Sequence, residues 1–101
     1  MGAYDFYHSC SGKNAKDAFK KAVEEARYEH GHGGYTGTIA EKESFVVFRV
    51  DEGVDPYDEA ERLIQFDDDV NDKWGPAGCI ELPAEDGDNE RRFLFFGWAS
   101  S

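Results

Sequence analysis

The chain has 101 residues, 40% hydrophobic and 15% aromatic, with 22 Asp+Glu against 11 Lys+Arg and a formal net charge of −11. That length suits one domain spanning residues 1–101 and is too short for two, while eight Phe, five Tyr and two Trp exclude a disordered acidic chain. The charge disfavours direct binding of nucleic acid or anionic lipid and leaves a basic protein surface as the expected partner.

Tyr4 to Ser9 alternates in strand fashion, with Tyr4, Phe6 and His8 on one side and Asp5, Tyr7 and Ser9 on the other. Ser11-Gly12 breaks the strand, and Asn14 followed by Asp17 reads as a helix N-cap backed by a first-turn carboxylate. Ala15, Ala18, Phe19, Ala22, Val23 and Ala26 then form an apolar helical stripe. Lys16, Lys20, Lys21, Glu24 and Glu25 lie outside that stripe. The helix is expected to stop within His30-Gly31-His32-Gly33-Gly34, where glycine supplies the left-handed cap.

Tyr35 to Glu41 and Ser44 to Val50 read as two β-rich stretches, plausible as a hairpin around Lys42-Glu43. Phe45-Val46-Val47-Phe48 is apolar on both faces, the pattern of a central strand. Asp55-Pro56 opens a second helix with an Asp cap and proline at the first helical position. Ala60, Leu63 and Ile64 point inward, Phe66 is a further candidate for that face, and Asp67-Asp68-Asp69 ends the helix. A turn-rich segment, Trp74 to Gly78, leads to strands at Cys79 to Leu82 and Arg92 to Ala99, joined by the acidic loop Pro83 to Glu90.

The expected fold is α+β: a ferredoxin-like β-α-β-β-α-β-β sandwich, its antiparallel-rich sheet carrying both helices on one face. On that arrangement Phe93, Leu94, Phe95, Phe96 and Trp98 leave the second sheet face apolar and uncovered, so a homo-oligomer, first a homodimer packed through the sheets, is expected, with a host partner on that face as the second candidate. No apolar run approaches the ~18 residues of a membrane span, the N-terminus lacks the order of a signal peptide, and Cys10 and Cys79 have no CxxC spacing. The expectation is a cytoplasmic protein with no membrane contact and unbridged thiols.

Two segments carry candidate binding chemistry. The first is the glycine-rich stretch with His30, His32, Tyr35 and Thr36, to which Trp74 is added as a stacking aromatic. It has three readings: a metal site, which lacks a complete zinc spacing; a phosphate or nucleotide loop, which lacks the Gly-Lys-Thr ending; and a helix cap followed by a turn. The metal is left unknown and no cofactor is implied. The second comprises Asp67, Asp68, Asp69 and Asp72, with Glu85, Asp86, Asp88 and Glu90 on the later loop. It lacks the glycine and glutamate of a calcium loop but suits a carboxylate array that mimics phosphates towards a Lys/Arg groove. Lys13, Lys16, Lys20 and Lys21 form a basic patch at the start of the first helix. Ser9, Ser11 and Cys10 near His8 offer a nucleophile–base pair only weakly, since neighbours on a strand face opposite sides and no nucleophile elbow is present, and no catalytic residue is assigned.

Tyr28 to Lys42, Lys73 to Cys79 and Phe95 to Ala99 together resemble small, functionally unassigned proteins of bacteriophages and mobile elements. The resemblance implies action by binding, directed at host defence or nucleic-acid machinery, and transfers no catalytic residue. The expected function is therefore that of a small acidic binding protein engaging a host protein. The alternative is a small-ligand site, for a nucleotide or for metal-assisted phosphoester hydrolysis, centred on His30-Gly31-His32.

Overall fold

The computed structural model describes residues 3–30, 39, 42–51, 53–67, 70, 75–83 and 91–100. These form β1 (Ala3–Gly12), α1 (Ala15–His30), β2 (Phe45–Phe48), α2 (Pro56–Phe66), β3 (Ala77–Leu82) and β4 (Arg91–Ser100). The fold is α+β, with a four-stranded mixed sheet in the order β1-β4-β3-β2. Strand β4 runs antiparallel to both β1 and β3, whereas β2 and β3 are parallel. It follows that β1, β2 and β3 all point the same way and β4 alone opposes them.

The local signals act where the sequence places them. Asn14 caps α1: its side-chain oxygen accepts from the Asp17 N–H at 2.8 Å, and the Asp17 carboxylate accepts in return from the Lys13 N–H at 3.1 Å. Asp55 caps α2 by accepting from the Tyr57 N–H at 2.8 Å, with Pro56 at the first helical position. Gly12 is needed where β1 passes against α1, because a Cβ there would lie 2.7 Å from the Ala18 nitrogen.

The layers differ from the ferredoxin-like expectation. The helices lie on opposite faces of the sheet, not on one. The α1 face holds Phe6, Ala18, Ala22, Val23, Ala26, Cys79, Phe93 and Phe95, joined by Phe19 and Phe45. On the α2 face are Ala60, Leu63, Ile64, Ile80, Leu94 and Phe96, joined by Tyr7, Phe48 and Trp98. The reason is topological. The chain moves from one edge of the sheet to the other through α1, then reverses through α2 to pair β3 with β2. Two crossovers of the same right hand, taken in opposite directions, fall on opposite faces.

That arrangement accounts for the two-sided apolar pattern of β4. Phe93 and Phe95 pack under α1, while Leu94 and Phe96 pack under α2, and all four are at most 2% exposed. Each helix covers one side, so the uncovered apolar face that motivated a face-to-face oligomer does not arise. Trp98 reinforces the α2 layer, its indole N–H donating to the Ile64 carbonyl at 2.8 Å.

Three further expectations change. The strand β2 lies at an edge of the described sheet, pairing only with β3; its apolar residues are divided between the two helical layers, Phe45 in one and Phe48 in the other. Of the stretch 35–41 only Ile39 is described, and it is buried in a turn that the Lys42 N–H closes onto its carbonyl at 2.9 Å, so it is no hairpin residue. Phe66, at the end of α2, is 72% exposed and does not continue the core face. The β3–β4 pair is clamped at its end by Arg91, whose two nitrogens donate to the two Glu81 oxygens at 2.8 Å each and whose guanidinium lies over the Phe93 ring. Among the described residues no helix is long and apolar enough to cross a membrane.

Gly78 gives the layered core a direct test. A Cβ there would lie 2.3 Å from the ring of Phe96, a side chain fixed on all sides by the α2 layer. Gly78→Ala should therefore destabilise the protein by ~1–3 kcal/mol in urea unfolding, and Phe96→Leu in the same chain should recover part of that loss. A neutral Gly78→Ala would contradict this packing.

Candidate functional site

The opposed helices divide the surface charge unequally. Helix α1 carries four Lys/Arg and four Asp/Glu, a balanced face, whereas the described residues between 51 and 67, which contain α2, hold six carboxylates against the single Arg62. Arg62 is itself engaged, donating to Glu59 on the same helix. Because Ala60, Leu63 and Ile64 turn inward, Asp58, Glu61 and Gln65 form the opposite, exposed stripe of α2. Asp51 and Asp55 extend the acidic surface towards its N-terminal end, and Asp67 sits at the C-cap. Exposed apolar side chains lie among these carboxylates: Val54, Tyr57 and Phe66. The result is an acidic face with aromatic groups at both ends of one helix.

Asp67 alone of the expected carboxylate array is described. It is half-buried, its N–H donates to the Leu63 carbonyl at 2.9 Å, and its carbonyl accepts from the Val70 N–H at 3.1 Å, so its backbone closes the helix while belonging to the acidic face. Asp68, Asp69, Asp72, Glu85, Asp86, Asp88 and Glu90 lie outside the described residues. So do His32, Tyr35, Thr36 and Trp74, whereas His30 is the last residue of α1.

Of the basic patch, Lys13, Lys16 and Lys20 are exposed, while Lys21 is half-buried and lies 3.6 Å from Asp17. Lys16 and Lys20 border an open groove of about 930 Å³ between α1 and the entry to β2. Phe19, Val23 and Phe45 supply its apolar lining, and Asp17, Glu24 and Glu43 share its rim with Arg27 and Lys42. Mixed charge of this kind gives the groove no strong preference for an anion. Lys42 is buried there with its ammonium donating to the Gly75 carbonyl at 2.9 Å, which ties the β2 entry to the β3 entry.

A second cluster was only half legible in the sequence. His8 and Cys10, two residues apart on β1, share the α1 face, and both meet Glu25: His8 Nε2 lies 3.2 Å from one carboxylate oxygen and Cys10 Sγ 3.8 Å from the other. The i, i+2 spacing on a strand was the available signal; the carboxylate from α1 was not visible without the packing. Burial and then the Glu25 charge push the Cys10 thiol up, which keeps it protonated and a poor nucleophile. Burial drives the Cys79 thiol further, up to about 12, and both thiols are free. Among the described residues no group of three His, Cys, Asp or Glu side chains is arranged to hold a metal ion.

Comparison with known proteins finds no matching family model, curated protein or solved structure.

Two measurements check these electrostatics. Native Cys10 should be alkylated slowly at mildly alkaline pH and Cys79 not at all, with Glu25→Gln accelerating Cys10 by removing the adjacent negative charge; an unchanged rate would show that Glu25 does not control the thiol. The Asp17 carboxyl is held below its ordinary value first by the Lys13 N–H. A group with a depressed folded-state pKa contributes stability above its unfolded value, here near 3.8, and loses it as pH falls through the folded value. Asp17→Asn should therefore be less stable than wild type at neutral pH, and the difference should shrink as pH drops below about 4; a difference that does not vary with pH would exclude the carboxylate as its source.

Proposed function

We propose that this chain is a small, non-enzymatic acidic binding protein whose α2 face engages a Lys/Arg-rich surface of another protein. The observation that carries the reading is the segregation of charge among the described residues: the sheet separates the balanced α1 helix from the α2 segment, where Asp51, Asp55, Asp58, Glu59, Glu61 and Asp67 stand against Arg62 alone. A uniformly solvated acidic surface has no reason to be one-sided. Carboxylates on one face attract a basic partner at long range and orient it before contact. Tyr57 and Phe66, exposed among them, supply the apolar anchors that charge alone lacks.

A basic surface of this kind is what nucleic-acid-handling proteins present, so carboxylates standing in for phosphates extend the proposal. A host protein of that class is the partner this reading expects. The protonated Cys10 thiol favours binding over nucleophilic catalysis at the His8 cluster.

The test is affinity for a lysine- and arginine-rich nucleic-acid-binding protein measured across a salt series. Association should weaken steeply with salt. Asp58→Asn with Glu61→Gln should reduce affinity at least about tenfold, ~1.4 kcal/mol, with at most a small fall in melting temperature, because both side chains are exposed and only Asp58 lies in the first turn of the helix. Lys16→Gln with Lys20→Gln, on the other face, should leave affinity unchanged or raise it. Equal losses from both pairs would show that net charge and not the α2 face drives association, and the proposal would fail.

A further inference from the structure

The two edges of the described sheet are unlike. Strand β2 is four residues long, and a very short edge strand offers little for another chain to pair with. Strand β1 runs for ten residues, Ala3–Gly12, and pairs continuously with β4 from Ala3↔Ser100 to Gly12↔Arg91, with no bulge. Its sequence contains no proline, lysine or arginine. Among the described residues β4 is its only strand partner, so within that set the backbone donors and acceptors on its other side have no ladder to join, and Asp5 is the one charge along the edge.

We propose that β1 pairs antiparallel with β1 of a second copy, joining two four-stranded sheets into one. The occupant follows from the side chains along the edge. Edge pairing about a two-fold axis perpendicular to the sheet keeps like faces together, so residues on one face of β1 must meet residues on the same face of the second strand. Asp5 is the only charged residue of β1. In the register centred on Tyr7 it stands opposite Ser9, and in the register centred on His8 it stands opposite Ser11. Neither sets like charges against each other, and both offer the carboxylate a hydroxyl. The strand is thus self-complementary, although the two molecules, each with a net charge of −11, repel at long range. A strand-edge dimer strengthens with salt, the reverse of the salt response that the α2 face requires of a basic partner.

The experiment is the mass in solution against protein concentration, with added salt. Wild type should rise from 11.4 kDa towards twice that value through the micromolar range. Ser9→Asp with Ser11→Asp puts an aspartate opposite Asp5 of the second copy in either register, twice by symmetry, and should give a monomer; Ser9→Asn with Ser11→Asn should still dimerise. Hydrogen exchange of the wild type reads the same edge without substitution: the β1 amides that point away from β4 should become protected as concentration rises. A wild type that stays at 11.4 kDa into the millimolar range, a folded double-Asp variant that remains dimeric, or exchange at β1 that ignores concentration would each overturn the proposal.

Discussion

Strand β4 must be buried on both sides, and the rest of the architecture answers that demand. Four consecutive large apolar residues, Phe93 to Phe96, leave no polar face to turn to water, and burying each such side chain contributes ~1.5–3 kcal/mol. A single helical layer would cover only alternate members of the run. With α1 over Phe93 and Phe95 and α2 over Leu94 and Phe96, the strand becomes the centre of a three-layer molecule. It also pairs on both edges, with β1 and β3, so its backbone is as fully enclosed as its side chains.

The layering has an electrostatic consequence. A chain with twice as many acids as bases has to distribute them somewhere, and one helix on each side of a sheet gives two outer surfaces that are independent of one another. The α1 surface is mixed, threaded by Asp17–Lys21 and His8–Glu25 contacts. The α2 surface is acidic and carries exposed Tyr57 and Phe66. Had both helices shared a face, their charges would have adjoined, and the lysines of α1 would have partly screened the carboxylates of α2. Helix placement thus turns a bulk property of the composition into a directional surface.

The edges of the sheet are set by the same route of the chain. Because β4 enters between β1 and β3, β1 is displaced to an outer position of the described sheet with ten residues of regular backbone, while β2, four residues long, forms its other edge. The acidic face and the long edge belong to different parts of the molecule and respond oppositely to ionic strength, so a partner on one and a second copy on the other are physically separable interactions.

The sequence by itself determined the elements and their caps. Asn14 with Asp17, Asp55 with Pro56, and the stripes Ala18-Ala22-Ala26 and Ala60-Leu63-Ile64 act within a few residues of where they are written, through hydrogen bonds and periodicities that need no distant partner. The apolar runs of β2 and β4 were equally plain. What they meant was decided only in three dimensions. A strand apolar on both faces is consistent with a central position, a covered edge or an oligomer face, and local pattern does not distinguish these. The choice depends on which strand each crossover reaches and in which direction, a long-range property that fixed α2 and its carboxylates on the face opposite α1, moved β2 to the edge of the described sheet, and brought Glu25 onto His8 and Cys10.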